Sequence, residues 1–473
     1  MNTTDKYIDA HCHVFNQDVL SMGIRVILHS LKVGEIARLL EITHIDKLLK
    51  KIDNLIHFID IGLNNDTEGI YKEMQDVYKK EYMLTPLMLD LTYVSGNNKN
   101  NLHKSFKGDT NELLHMHLHH AIKEYTSQAK KHVVMLSATE GKNLNSKLEE
   151  LESKLGVLES KLQKFGKDNE NLRLFGKHNF DKQLKHLKEL KMKHPDMVYP
   201  FLSVDPHKKD ILDIVKKEVG PGKNFIGIKL YAPCGYSPTD PLLYGKSDTY
   251  TEKEDCLYNF CLKNDIPITA HNSDSGFATF NNSVKINGYI YQANTNIIEK
   301  VDKVIQFKKQ VDILKFKFDN GWIEERAMIL NHPKIWQQVL KKFPKLRLNL
   351  AHFGGSGQLK NFISPENTPP FESYSWSKTI FDMLSNPLYP NFYTDLSCFD
   401  ENDGFLLKDF KQKFFDKNPD VQDKILYGSD FYLNMIFSDS FNNYLNMFKK
   451  AFDGSFDKIA KINSRKFLNI SNL

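Results

Sequence analysis

Eight short apolar runs, each followed by a loop and usually by a helical pattern, constrain this chain more than any other feature. They are Tyr7–His11, Met83–Leu91, Met197–Val204, Phe225–Leu230, Ile266–His271, Leu346–His352, Phe392–Leu396 and Lys424–Tyr427. Runs of this length, rich in β-branched and aromatic residues and bounded by turn formers, read as strands. Amphipathic patterns such as Phe180–Lys193 and Lys334–Lys342 lie between several of them. Strands alternating with helices argue for parallel βαβ units, and eight units predict an α/β fold, the (β/α)8 TIM barrel. A doubly wound open sheet is the competing architecture, but no Gly-x-Gly-x-x-Gly follows a strand to support it.

The spacing of the runs is uneven. One barrel is expected over residues 1–473, with two excursions inside it. The first, 92–179, separates the second and third strands by far more chain than a βαβ unit needs. Within it Leu144, Leu148, Leu151, Leu155, Leu158 and Leu162 alternate in steps of four and three, a heptad seam among Lys, Glu and Ser. So short a seam needs a partner, for which the Leu113–Lys131 helix or a second subunit would serve, giving a coiled coil and, in the second case, a homo-oligomer. A surface helix capping the barrel is the alternative. The same stretch carries His115, His117, His119 and His120. No carboxylate pairs with them in a recognisable pattern, so they read as a solvated face. The second excursion, 272–331, carries Gly276, Phe277, Tyr289, Tyr291, Gly321 and Trp322 and is the expected lid over the substrate mouth.

With 41% hydrophobic residues the chain can bury a large core, and 64 basic against 59 acidic residues leave only +5. That balance gives no reason to expect nucleic acid. No run approaches membrane-spanning length and no signal-like segment opens the chain, so a cytoplasmic protein without membrane partners is expected. The five cysteines are scattered without a Cys-x-x-Cys pair, and free thiols are expected.

The chemistry gathers at strand ends. His11 and His13 flank Cys12, and alternation sends both imidazoles to one face, about 6 to 7 Å apart along the backbone, with Cys12 on the other. Two imidazoles do not make a zinc site, which takes three or four protein ligands. Further candidates close other runs: Lys229 in Gly227-Ile228-Lys229-Leu230-Tyr231, His271, His352, and Asp430 after Leu426-Tyr427-Gly428-Ser429. Barrel enzymes put their chemistry at these ends. Any one could be a satisfied core group, but together they offer nitrogen and oxygen ligands suited to zinc.

This set resembles the amidohydrolase superfamily, whose signature is His-x-His on strand one, often Lys on strand four, His on strands five and six, and Asp on strand eight. Asp9-Ala10-His11-Cys12-His13, Ala351-His352-Phe353-Gly354-Gly355, Leu426-Tyr427-Gly428-Ser429-Asp430 and Asn463-Ser464-Arg465-Lys466-Phe467-Leu468 are similar to the amidohydrolase-related branch, which includes aminocarboxymuconate-semialdehyde decarboxylase. The resemblance implies that His11, His13, His271 and Asp430 hold one Zn2+ or another divalent transition metal, with catalytic roles for Asp430, His352 and Lys229. Lys229 is either carbamylated between two ions, as in dihydroorotase-like members, or turned towards an anionic substrate group; one ion is favoured. The expected activity is hydrolysis of a C–N or C–O bond of a small carboxylated or cyclic substrate by a metal-activated water. A non-oxidative decarboxylase, and a catalytically silent barrel serving as a coiled-coil platform, are the alternatives.

Overall fold

The computed structural model describes residues 5–15, 45–94, 145–167, 178–312, 317–365, 375–436, 438 and 440–470. Each of the eight apolar runs contains a strand. In chain order they are β1 (Tyr7–Cys12), β2 (Tyr82–Pro86), β3 (Phe201–Val204), β4 (Gly227–Leu230) and β5 (Ile268–Ala270). After β6 to β9, which belong to the 272–331 region, come β10 (Leu348–Leu350), β11 (Phe392–Leu396) and β12 (Ile425–Tyr427). A six-stranded parallel sheet runs β12-β11-β10-β5-β4-β3, and β1 pairs with β2 in a parallel sheet of two. Parallel bridges Leu84–Val198 and Leu87–Phe201 carry β2 onto the β3 segment. At the other edge, the backbone N–H groups of Ser429 and Asp430 donate to His11 O at 3.1 and 2.7 Å.

Helices cover the sheet on the connections, and this explains why the strands read as continuous apolar runs: both faces are buried. Ile228, Leu230, Ile268, Leu348, Leu350 and Leu396 have no exposed surface. Each such side chain contributes about 1.5–3 kcal/mol relative to an exposed one. Most of the strands are shorter than the runs. Pro86 has no N–H to continue the β2 ladder, and Leu346–His352 keeps only three strand residues because His352 turns into the left-handed region at φ 66°.

The leucine seam finds its partner inside the chain. Leu151, Leu155 and Leu158, on the helix Asn145–Lys167, are buried in the main core. That helix packs on the helix Ile45–Asn64, whose Ile52, Phe58 and Ile59 join the same core. Lys154 pairs with Asp53 at 2.5 Å, and Lys161 pairs with Asp60. Residues 45–64 therefore supply a partner for Leu151, Leu155 and Leu158. The pairing was unreadable because the two helices lie about a hundred residues apart. Leu113–Lys131, Leu144 and the four histidines from His115 to His120 lie outside the described residues.

The 272–331 region is built on an antiparallel ribbon, β6 (Ser283–Gln292) with β7 (Ile297–Gln306), followed by the short pair β8 (Val311–Asp312) and β9 (Lys317–Phe318) and the helix Trp322–Asn331. Val284, Ile286 and Ile290 alternate inwards against Val301, Ile305 and Leu330, as the two-residue period requires. Arg326 anchors the helix: its guanidinium is fully buried over the Phe307 ring at 4.4 Å and donates to Lys309 O, Trp322 O and Asn281 O. The ribbon is pinned to the loop after β4, where Ser237 Oγ donates to Tyr289 O at 2.7 Å and Tyr289 N donates to Thr239 Oγ1 at 2.6 Å. All five cysteines are free. No described helix is long and apolar enough to cross a membrane.

Candidate metal centre

His11 and His13 leave the end of β1 on one side of the backbone, while Cys12 packs into the core on the other. Their tautomers follow from their partners. His13 Nδ1 lies 2.8 Å from Leu87 O, which can only accept, so Nδ1 carries the proton. His11 Nδ1 lies 3.0 Å from a carboxylate oxygen of Asp395. Both Nε2 atoms therefore point inwards, and both meet Asp430 Oδ1, at 3.3 Å from His11 and 3.1 Å from His13. Burial first lowers the His13 pKa, so this imidazole is neutral at pH 7 and its Nε2 is bare. Burial resists charge on Asp430 too, but His11 and His13 hold its carboxyl well below the ordinary range. The bare His13 nitrogen thus faces an ionised oxygen at hydrogen-bond distance; burial and Lys229 oppose charge on His11, but Asp395 and Asp430 raise its pKa, and its Nε2 has no hydrogen-bond partner among the described residues. Only a proton or a cation holds three such atoms together, and the donor set of two imidazoles and a carboxylate suits a divalent transition metal.

The chain braces this trio from behind. Asp9 accepts from Ser429 N (3.0 Å), Ser429 Oγ (2.6 Å), Tyr78 Oη (2.7 Å) and His11 N (3.2 Å), clamping β1 to the loop after β12. Asp430 sits at φ 56°, which aims its carboxylate back over β1. Gly428 is required by close approach, since a Cβ there would stand 2.6 Å from His11 Cβ.

His271 and His352 form a second pair beside the trio. His271 Nε2 lies 2.9 Å from Ser275 O and carries the proton, which leaves Nδ1 bare, 3.1 Å from His352 Nε2. The His271 ring is held between the Tyr231 ring, 4.1 Å away and parallel, and Gly276, whose φ of +96° and lack of side chain let the loop close onto it. Burial lowers the His271 pKa well below its usual value and, with the His11 charge adding, that of His352 to about 4. His352 lies between His11 and His271, with ring centroids 4.7 and 4.8 Å away. Of the four expected ligands, His11, His13 and Asp430 therefore converge, while His271 meets His352.

Lys229 is 1% exposed, and its Nζ lies 6.0 Å from the centre of the Tyr231 ring. Burial lowers its pKa to about 8, against the pull of Asp395 and Asp430.

Sequence reasoning missed Asp395. It lies in Thr394-Asp395-Leu396-Ser397, inside a run recognised as a strand, and its signal was its place near a strand end. Fully buried, it accepts from His11 Nδ1, Asn349 Nδ2 (2.7 Å), His352 N (3.0 Å) and Ser397 Oγ. Burial opposes its charge, but His11 and His352 hold its carboxyl well below the usual range. His11, His352 and Asp395 also lie close enough for one ion. Both oxygens of Asp395 already accept hydrogen bonds from these donors.

No curated protein matches the chain in sequence. Among solved structures it resembles 2,6-dihydroxybenzoate decarboxylase from Rhizobium at 14% identity and a TM-score of 0.34, over 62% of this chain and 78% of that one. It also resembles a probable 2-pyrone-4,6-dicarboxylic acid hydrolase from Acinetobacter baumannii (12% identity, TM-score 0.32, 63% and 80% covered). A third is 5-carboxyvanillate decarboxylase from Novosphingobium aromaticivorans, complexed with manganese (14%, 0.33, 61% and 69%). Scores this low leave the assignment to the family profile. The amidohydrolase profile matches residues 180–469, more than half of the chain, a span that takes in Lys229, His271, His352 and Asp430 but not His11 or His13. On that match, the chain belongs to the amidohydrolase family.

Proposed function

We propose that this amidohydrolase is a metal-dependent hydrolase on a closed (β/α)8 barrel, in which the β1–β2 pair completes the ring begun by the six-stranded sheet. The parallel bridges between β2 and the β3 segment, and the bonds from the β12 loop to His11 O, support closure. Segments 92–179 and 272–331 are then excursions from one barrel, the second standing over its mouth.

The observation that supports the reading is the convergence of His11 Nε2, His13 Nε2 and Asp430 Oδ1, all within 4.8 Å of one another and buried. These three atoms would hold one divalent ion, Zn2+ by preference, with His271 completing the set through the nitrogen that Ser275 leaves bare. Such an ion supplies Lewis acidity, polarising a substrate oxygen and lowering the pKa of water towards about 7. The remaining roles fall to side chains. Asp430 takes a proton from the attacking water, and His352, oriented by Ser397 Oγ at 2.8 Å, stabilises charge developing on the substrate. Lys229 holds an anionic substrate group.

That lysine also favours a second reading. An ammonium buried at this depth suits a carboxylate held against the ion, which is what a non-oxidative decarboxylase needs. Product analysis separates the two: a hydrolase incorporates oxygen from labelled water into its product, whereas a decarboxylase releases carbon dioxide. Elemental analysis tests both at once. About one equivalent of transition metal is expected. Less than about half an equivalent after metal-supplemented expression, with melting unchanged by chelator, would overturn the site.

A further inference from the structure

The β6–β7 ribbon has one backbone edge engaged and one open. On the β6 side, Tyr289 N donates to Thr239 Oγ1 and Tyr289 O accepts from Ser237 Oγ, both away from β7. The residue opposite Tyr289 is Lys300. In an antiparallel ladder, opposed residues either exchange both bonds or both turn away from each other. Lys300 therefore points its N–H and C=O away from β6, and Ile298, Asp302 and Val304 do the same by the two-residue period. The strand is 10 residues long. Among the described residues no strand pairs with this outer edge, and no other backbone group bonds to these four residues there. Apolar side chains are also left in solvent along it: Ile297 is 54% and Val304 55% exposed.

An open edge is a template for another strand, and charges usually blunt it. The charges on β7 are instead complementary to a second β7. A two-fold axis normal to the sheet at Val301 sets Glu299 opposite Lys303 of the second copy and Lys300 opposite Asp302, each pair occurring twice. The same register covers the exposed Ile297 with Ile305 and the exposed Val304 with Ile298. Moving the axis to Glu299, Lys300, Asp302 or Lys303 sets that charge against its own copy, so the axis at Val301 is selected. We propose that two copies of this chain pair antiparallel through β7 about Val301, joining their ribbons into one four-stranded sheet. Ile298, Lys300, Asp302 and Val304 supply the ladder, and the opposed charges fix its register. The contact is isologous, and its small area places it in the weak class. It stands whether or not the metal reading does, and it does not use the leucine seam, whose partner lies within the chain.

Sedimentation of the full chain over a concentration series measures the pairing. A monomer–dimer equilibrium with a dissociation constant of about 100 µM or tighter is expected. Glu299→Lys and Lys303→Glu should each weaken it by about tenfold or more, because each sets like charges face to face at two symmetric places. Within one chain Lys303 Nζ bonds Glu299 at 3.0 Å. The double variant keeps that bond in reversed sense and restores the register, so its dimer should regain the original affinity. Mixing the two single variants should give a heterodimer. Val304→Pro removes one outward N–H without touching the bonds to β6, and should abolish pairing while melting stays unchanged. A chain monomeric up to about 300 µM, a dimer that the single variants leave intact, or a double variant no tighter than the singles overturns the proposal.

Discussion

The two polar clusters at these strand ends are built on opposite principles. Around His11, His13 and Asp430, almost every atom that does not face inwards is taken: Leu87 O holds one imidazole, Asp395 the other, and Asp9 clamps the backbone that carries Asp430. Beside β2 and β3, Asp205 orders His207, while Asp90 accepts from Thr92 N and its Oδ2 has no hydrogen-bond partner among the described residues. The first group has its geometry fixed before a ligand arrives, as a metal centre requires. The second keeps a buried carboxylate whose surroundings oppose its charge, at a cost in stability.

The largest expected effects break the first cluster. Asp430→Asn should both weaken metal binding and abolish turnover, whereas His352→Asn should keep the metal and lose turnover by about 10²-fold or more. Metal content and rates of both variants, once a substrate is found, check this; full activity in both would remove the site assignment. Next comes the brace. Asp395→Asn puts an amide N–H against His11 Nδ1 and favours the tautomer with the proton on Nε2, so metal affinity should fall about 10–100-fold. Nitrogen NMR of the metal-free protein reads that tautomer directly, and an unshifted His11 would show that Asp395 does not set it.

The second cluster predicts the reverse sign. Asp90 has a folded pKa of about 6, above its unfolded value, so the native state binds this proton more tightly. Stability contributed by the protonated carboxyl is lost as pH rises through the interval from the unfolded to the folded pKa, and the penalty is complete above it. Asp90→Asn should therefore stabilise the protein at pH 7.5 by on the order of 2–3 kcal/mol, with the gain shrinking towards pH 4. Urea unfolding at both pH values measures it, and a loss of stability at pH 7.5 would mean that Asp90 is structural. The smallest effect lies outside both clusters. Leu155→Ala should cost about 2 kcal/mol or more and loosen the Asn145–Lys167 helix, with metal content and oligomeric state unchanged. A change in oligomeric state would return the seam to a second subunit.

Much of the sheet was legible because burial on both faces leaves continuous apolar runs, and the ligand-type residues were legible because they end those runs. What escaped notice depends on contacts between distant segments. The approach of Ile45–Asn64 to the leucine seam leaves no local trace, and neither does the left-handed turn at His352 that lets its N–H reach Asp395. Asp395 looked like an ordinary polar residue within a strand, since its importance lies in four donors supplied by other parts of the chain. His207 escaped for a related reason: its carboxylate is only two residues away, but the fold around the pair is built by the segment after another strand, β2.

The clamp made by Asp9 has a consequence for how the protein is born. Its bonds to Ser429 join residues 420 positions apart, and closing a loop of that length has to await long-range assembly. During synthesis His11 and His13 leave the ribosome some four hundred residues before Asp430, so the three side chains cannot meet until the intervening segments have been made. The clamp thus couples the geometry of this cluster to the last steps of sheet assembly rather than to local folding of β1.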